Sequence, residues 1–407
     1  MEKNNLYITE IIDKCTNCGN CRTVCPVFKI TGEEIYSTRG RINLVKGYLS
    51  GELKTSKELR EKLFVCLNCG QCLEFCPADV EYSLILKNAK SRIISRNKIF
   101  DIKRSILEGI FSFKPSTSDL FFMLLRKCGN LLFKNNSLNY FGKIIFRLAG
   151  TNLAAKFPEI PINNFFNMDV RHETKNDRGI RIALFTGCGG KHLYPECTDN
   201  FVKIMRAQGI EILIPKNQVC CGNPLSYKGL LKSAGRNLNS NIKAFNCLLD
   251  IKLIVSLCPK AGNLFKELDR TDPKLSLRLP VSNWIEFISE YKIEFAPKYD
   301  NSVIFHSCPG CGQTDLYRNL VKSIYADYTK IPDFTSDFCG CTELLDRSNY
   351  DIRRKIARSF YEKNCLEKTE YIICSSFECI EHLNEFFTSS SLSIRAIHFF
   401  DALKSKN

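Results

Sequence analysis

The sequence predicts a multidomain α+β protein: an α-helical N-terminal domain, a helical connector, and two tandem α/β modules with small parallel sheets. Three observations predict it. Two cysteine runs of identical spacing lie near the N-terminus, a basic and aromatic stretch of helical periodicity follows, and from Gly179 onward the chain repeats itself at an offset of 115–120 residues. A length of 407 residues suits two or three domains. Apolar residues at 44% and charged residues at 25% are ordinary globular values, which excludes wholesale disorder. The predicted boundaries are 1–98, 99–178, 179–298 and 299–407.

The 22 cysteines set the chemistry. A disulfide scaffold is normally short and far denser in cysteine, whereas these thiols come in tight clusters spaced to grip metal. Cys15, Cys18, Cys21 and Cys25 precede Pro26, and Cys66, Cys69, Cys72 and Cys76 precede Pro77. Both runs read C-x2-C-x2-C-x3-C-P, the spacing of two-cluster bacterial ferredoxins, in which the fourth cysteine of each run serves the other run's cluster. Three cysteines two residues apart wrap three corners of an iron–sulfur cube, and the fourth points away along the chain. By that rule Cys15, Cys18, Cys21 and Cys76 hold one [4Fe–4S] cluster, and Cys66, Cys69, Cys72 and Cys25 the other. Gly19 and Gly70 follow the second cysteines, where the loop must turn tightly and calls for positive φ. The prolines lack an N–H and suit a helix start. Tetrahedral zinc also takes four thiolates, but does not call for this eight-cysteine reciprocity.

Between the runs, residues 42–50 and 56–64 have helical patterning. Arg39 and Arg41 are placed either to donate hydrogen bonds near an anionic cluster and tune its potential, or to serve as ordinary ion-pairing residues. In the connector, residues 87–147 carry thirteen Lys or Arg against Asp101, Glu108 and Asp119, a net +10 within a chain of +15. Such a stretch is either a solvated face or a surface for nucleic acid, anionic lipid or an acidic partner protein. Its aromatic residues at helical spacing suit packing against the neighbouring domains. Cys128 stands alone and reads as a small buried hydrophobe.

The repeat is read residue by residue. Arg181–Phe185 runs as a strand toward Cys188, and Ser302–Phe305 toward Cys308. Cys220-Cys221-Gly222 corresponds to Phe338-Cys339-Gly340. Leu253–Ser256 before Cys258 matches Tyr371–Cys374, and Asn283–Ile288 echoes His398–Leu403. Offsets that drift this little imply two copies of one supersecondary unit. Apolar β-rich runs alternating with helical stretches at 226–249 and 349–366 argue for parallel sheets, whose strand ends gather ligands on one rim.

The spacing Cys188-x31-Cys220-Cys221-x36-Cys258 resembles the cysteine-rich CCG module of heterodisulfide reductase subunits and their relatives. A two-cluster ferredoxin head followed by two such modules is similar to the iron–sulfur subunit of glycolate oxidase. Similar chains occur in lactate-utilisation complexes, anaerobic glycerol-3-phosphate dehydrogenase and the heterodisulfide reductase D subunit, and Arg39-Gly40-Arg41 resembles a short motif of that group. The departures are specific. Ala261 stands where the first module's last family cysteine belongs, Phe338 replaces one of the paired cysteines, and the second terminal pair is irregular, with Ser376 between Cys374 and Cys379. The candidate metal ligands are therefore Cys188, Cys220, Cys221 and Cys258 in the first module, and Cys308, Cys311, Cys339, Cys341, Cys374 and Cys379 in the second. A further iron–sulfur cluster or zinc is the cofactor alternative for either module. His306 and His398 read either as ligands or hydrogen-bond donors to a centre, or as core residues. Cys197, Cys247 and Cys365 fit no spacing and read as structural.

There is no G-x-G-x-x-G after a strand, no Walker loop, no H-E-x-x-H and no nucleophile elbow, so the chain has no sequence sign of substrate chemistry of its own. The expectation is an electron-transfer subunit. The resemblance implies an FAD-containing dehydrogenase of glycolate, lactate or another 2-hydroxy acid as partner, with a membrane quinone, a membrane subunit or another carrier downstream. The alternative is a disulfide reductase of the heterodisulfide type with a reactive cluster in a CCG module. A zinc scaffold that binds nucleic acid is the third reading, and nucleic acid is not expected as a partner. With no apolar run near the ~20 residues of a membrane span and no secretory signal, the predicted location is cytoplasmic, with peripheral attachment to the inner face of the cell membrane open.

Overall fold

The computed structural model describes residues 2–95, 108, 133–134, 137–138, 170–172, 179–271, 276–299, 303–326, 333–335, 337–344 and 349–405. Most of the predicted connector, including Cys128, lies outside the described residues. Its described parts include a short antiparallel ladder of β1 (Phe133–Lys134) and β2 (Ser137–Leu138).

The N-terminal region is helical: α1 (Glu2–Asp13), α2 (Asn20–Val24), α3 (Pro26–Thr31), α4 (Thr38–Ser50), α5 (Lys57–Phe64), α6 (Gln71–Glu74) and α7 (Tyr82–Ser95). Ser37 caps α4 by accepting from Gly40 N at 3.0 Å, and Ser56 caps α5 by accepting from Leu59 N at 3.1 Å, each satisfying an N–H that has no partner within the helix. Ile8, Ile11, Ile42, Val45, Leu59, Leu63, Ile85 and Ile93 come from four of these helices and form one buried core. Pro26 opens α3 as its spacing predicts. After Pro77 the chain instead turns through Asp79 at φ 46° before α7 begins.

The first α/β module carries β3 (Val170–His172), β4 (Ile180–Phe185), β5 (Ile210–Ile214), β6 (Leu253–Ser256) and β7 (Val281–Asn283). They form one sheet in the order β3-β5-β4-β6-β7, parallel except for the edge strand β3. Its helices are α8 (Pro195–Ala207), α9 (Asn223–Tyr227), α10 (Leu231–Asn246), α11 (Pro259–Thr271) and α12 (Trp284–Tyr291). β8 (Phe295–Pro297) leads to the second module, with β9 (Val303–His306), β10 (Asp333–Thr335), β11 (Tyr371–Cys374) and β12 (Arg395–His398) all parallel in the order β10-β9-β11-β12. Its helices are α13 (Thr314–Ile324), α14 (Tyr350–Lys363), α15 (Phe377–Ser389) and α16 (Phe399–Ala402), and the fold closes with β13 (Leu403–Ser405). The central strands of both modules follow the same order, as a duplicated unit requires. The α+β architecture predicted from the sequence stands.

The two modules are joined directly. β13 pairs antiparallel with β8, and Trp284 is fully buried between them, edge-on to Tyr317 and Phe400, with its Nε1 donating to Ser375 O at 3.2 Å. The helical head rests on both. Tyr227 Oη donates to Cys66 O at 2.8 Å, Lys90 Nζ donates to Tyr227 O at 3.2 Å, and Asn349 Nδ2 donates to Phe64 O at 2.9 Å. Cys25, Val27, Val65 and Leu67 of the head accordingly belong to the same buried apolar cluster as the modules.

Candidate metal centres

The two cysteine loops of the head have the same backbone. Asn17 and Gly19 have φ of 55° and 88°, and Asn68 and Gly70 have 54° and 77°. Left-handed residues alternating with the cysteines turn successive N–H groups to one side, the kind of concavity that receives an anion. The glycines were legible from the spacing. The asparagines were not singled out, although Asn is the non-glycine residue that tolerates this conformation best.

Two cavities, partly open to solvent, lie inside these loops. Cys25, Cys66, Cys69 and Cys72 line the inner one, and Cys15, Cys18, Cys21 and Cys76 the outer one, where Cys72 also reaches. Cys72, Thr38 and Tyr82 belong to both walls, so the cavities are neighbours. The outer cavity reaches the surface, with Cys18 exposed and Phe75 52% exposed. The inner one faces the modules. A Cβ built on Gly310, in the turn Pro309–Cys311, would lie 3.0 Å from Cys69 O.

Burial raises the thiols of Cys21 and Cys69 and pushes Cys72 up to about 12, so without a cation these sulfurs keep their protons. A thiophilic cation replaces the proton on sulfur, and at least four thiols in the wall of each cavity fit an iron–sulfur group. The electrostatics differ between the cavities. Arg41 is 1% exposed and lines the inner one; its Nε donates to Lys62 O at 3.2 Å and its Nη2 has no hydrogen-bond partner. Burial works against its charge, but Tyr82, Cys66 and Cys25 around it hold it above its ordinary value. Arg39 is partly exposed, pairs with Glu34 at 2.5 Å, and donates to Asn17 O at 2.7 Å on the outer loop. Gly40 between them is needed for contact: a Cβ there would lie 2.1 Å from Glu34 O. The short Arg-Gly-Arg stretch thus sends one guanidinium toward each cavity.

In the first module the candidate cysteines gather at the C-terminal rim of the sheet. Cys188 follows β4, Cys220 and Cys221 precede α9, and Cys258 follows β6. Hydrogen bonds with Cys188 and Cys221, together with burial, hold the Cys220 thiol well above its ordinary value. A smaller cavity is lined by Cys188, Cys220, Lys191, His192 and Gln218. Cys258 Sγ donates to Glu378 Oε1 of the second module at 3.6 Å. The paired-cysteine loop is clamped by residues that sequence reasoning missed. Asn237 and Asn241 both donate to Cys220 O, at 3.1 and 3.3 Å, and Asn241 Oδ1 accepts from Val219 N at 2.9 Å. Helical spacing of two polar residues on α10 was the available signal.

In the second module His306, Cys308, Cys339 and Cys379 are all buried, with their ligand atoms within 4.8 Å of one another. Cys341 Sγ lies 3.4 Å from Cys308 Sγ and 3.7 Å from Cys379 Sγ. Burial would raise the Cys339 thiol, but the neighbouring Cys308, Cys341 and Cys379 thiols and the His306 ring hold it well below its ordinary value. Cys374 is not in this group; its Sγ points toward Ile372 O at 3.8 Å. Cys311 closes the turn Pro309–Cys311, and its side chain lies outside the described residues. His398 caps α16 by accepting from Phe400 N and stacks on Phe377, and burial lowers its pKa to about 3, so it is a neutral core residue. Cys197 is buried in the core, whereas Cys247 and Cys365 are exposed.

Residues 11–80 match the 4Fe-4S dicluster domain and residues 182–265 match the cysteine-rich CCG domain. The chain thus carries a region of the 4Fe-4S dicluster type followed by one of the cysteine-rich CCG type. Over nearly its whole length it is similar to the probable glycolate oxidase iron-sulfur subunit of Bacillus subtilis (strain 168), at 25% identity over 96% of this chain and 92% of that one. It is likewise similar to the glycolate oxidase iron-sulfur subunit of Escherichia coli (strain K12), at 22% identity over 93% of this chain and 91% of that one. Lactate utilization protein A of Oceanobacillus iheyensis shares 20% identity over 55% of this chain and 96% of its own length. The resemblance read from the cysteine spacings is borne out. No helix among the described residues is long and apolar enough to cross a membrane.

Proposed function

We propose that this chain is the electron-transfer subunit of an oxidoreductase complex. In this reading it passes electrons from an FAD-containing dehydrogenase of glycolate, lactate or a similar 2-hydroxy acid to a quinone or another carrier. The observation that carries it is the pair of cysteine-lined cavities with a common wall of Cys72, Thr38 and Tyr82. A [4Fe–4S] cluster, when bound, accepts and donates single electrons at a potential set by its surroundings. Cys15, Cys18, Cys21 and Cys76 would hold one such group, and Cys66, Cys69, Cys72 and Cys25 the other. The protein's own work is to hold the two close together, one at the surface beside Phe75 and the other against the modules. Arg41 supplies a buried positive charge that offsets the negative charge of the inner group. Cys188, Cys220, Cys221 and Cys258 form a candidate set for a further centre. The basic residues 87–147 suit peripheral attachment to an anionic membrane surface next to a quinone or a membrane subunit.

Iron and acid-labile sulfide analysis of anaerobically reconstituted protein, read with electron paramagnetic resonance, tests the reading. The expectation is eight irons and eight sulfides for the head, with Cys21→Ser and Cys72→Ser each removing or converting a different signal. Zinc with negligible sulfide, or spectra unchanged in both variants, would refute it. Reduction of those signals by a co-purified flavoprotein and its 2-hydroxy acid tests the partner.

A further inference from the structure

The second module's cysteines are arranged unlike those of the head. In the head, sulfurs surround cavities. In the second module they nearly touch, at 3.4 Å between Cys308 and Cys341 and 3.7 Å between Cys341 and Cys379. Zinc–sulfur bonds of about 2.3 Å at tetrahedral angles place neighbouring sulfurs about 3.8 Å apart. The ligand atoms of His306, Cys308, Cys339 and Cys379, all within 4.8 Å of one another, are gathered as closely as a single ion needs, with Cys341 Sγ packed beside them. Among the described residues this is the one group of three or more such ligand atoms gathered within 4.8 Å.

A second, independent observation comes from His306. Its side chain is fully buried at the end of β9, and its Nδ1 faces Thr335 O at 3.3 Å, while Nε2 has no hydrogen-bond partner. A carbonyl that accepts a hydrogen bond from Nδ1–H keeps the proton on Nδ1 and leaves the Nε2 lone pair for a cation, the usual outer-sphere arrangement of a metal-bound histidine. Ser376 Oγ similarly donates to Cys379 Sγ at 3.2 Å. We propose that the second module binds a single tetrahedral zinc ion through His306 Nε2 and the sulfurs of Cys308, Cys339 and Cys379.

This set has four protein ligands and no open position, which makes the site structural rather than catalytic. Three thiolates and a neutral imidazole leave the centre at −1. A cation stands nearby: Arg353 is buried and its Nε donates to Gly340 O at 3.2 Å, between Cys339 and Cys341. Exchanging His306 for Cys341 would add a further negative charge in the core, which favours the histidine. The ion would tie together the end of β9, the loop before α14 and the start of α15. The turn Pro309–Cys311, which approaches the head's Cys69 loop, begins directly after Cys308.

The test is metal analysis and zinc X-ray absorption on the full chain, purified and then supplemented with zinc alone. The expected result is one zinc per chain with three sulfur and one nitrogen neighbours. His306→Ala should lose the nitrogen neighbour or more than half of the zinc, and Cys339→Ser should lose the zinc. Iron, sulfide and the head's paramagnetic signals should stay unchanged in both, which also shows that the variants fold. An all-sulfur shell, full zinc with an unaltered shell in His306→Ala, no zinc after supplementation, or iron in this site in its place would each overturn the proposal. Zinc and iron are read separately, so a parent chain with zinc in this site but no iron in the head would count against the relay reading alone.

Discussion

Gly222 and Gly340 follow the paired-cysteine positions of the two modules, with φ of 92° and 94°. A Cβ on Gly222 would lie 2.9 Å from Ala234 O and 3.0 Å from Ala234 Cα, and one on Gly340 would lie 2.8 Å from Arg353 O. In each copy the loop that presents the cysteines lies directly on the backbone of a helix farther along the chain, α10 in the first and α14 in the second. Gly222→Ala therefore carries two costs: left-handed backbone in a residue with a Cβ, about 1–2 kcal/mol, and overpacking against a helix that cannot yield, about 1–3 kcal/mol. The sum is about 2–5 kcal/mol. A chain with several domains is not expected to unfold in one step, so the readout must be local. Hydrogen exchange over residues 216–246 should show opening increased by about thirty-fold to several-thousand-fold, at 1.4 kcal/mol per decade. Gly235→Ala is the internal control. It lies in the same helix, a Cβ there meets nothing within 4 Å, and the change should slow exchange by removing a flexible residue, worth about 0.5–1 kcal/mol. If Gly222→Ala exchanged like the parent while Gly235→Ala behaved as stated, the close approach of loop and helix would be wrong.

Three further outcomes follow from the same geometry. Arg41→Met should lower the potential of the head's inner signal in a redox titration, because the buried positive charge favours the reduced, more negative state; Arg39→Met, at a more exposed position, should do less. Equal shifts for both would contradict the asymmetry. Tyr227→Phe removes the donor to Cys66 O and should weaken head docking by about 0.5–1.5 kcal/mol, read as faster exchange across 64–69 with the rest of the head unchanged. His398 is buried neutral with its pKa lowered to about 3, so the unfolded chain binds more protons below pH 6.5 and stability falls as pH falls from 6.5 toward 3. His398→Asn should therefore lose less protection in β11 and β12 between pH 7 and pH 5 than the parent, by about 2 kcal/mol; parallel losses would assign acid lability elsewhere.

Local rules made much of this molecule legible. Eight cysteines with their glycines located the head's two loops, because a short loop around a cube leaves few workable spacings. The offset between Cys188 and Cys308 led to two sheets with the same central strand order, because a repeat in sequence is a repeat in packing. What could not be read depends on distant partners. Nothing in Tyr227, Asn349 or Gly310 signals that the head rests on them, since each contact joins residues far apart in the chain. The pairing of β8 with β13 likewise crosses the boundary predicted at 298–299. In the second module, spacing gave Cys374 the same weight as Cys379, but a strand residue and a helix residue five positions apart point in different directions, and only Cys379 reaches His306.

The two modules separate what the fold requires from what the chemistry requires. Both keep a left-handed glycine pressed on a later helix, an N-capping residue in Asn283 and His398 before an aromatic, and a rim of cysteines at the ends of parallel strands. Their donor sets nevertheless differ. The first has four cysteines, one of which turns to Glu378 across the module boundary, while the second draws in a histidine from its central strand. A shared loop geometry with unequal donors means that the backbone, rather than any particular metal, dictates the cysteine rim. The rims also explain the position of the head. Tyr227, beside the first rim, reaches Cys66, and Gly310, beside the second, reaches Cys69, so both modules grip the same loop of the inner cavity. A duplicated unit gripping one loop from two sides fixes that loop better than either copy alone, and leaves the outer cavity, at Cys18 and Phe75, as the end that faces solvent.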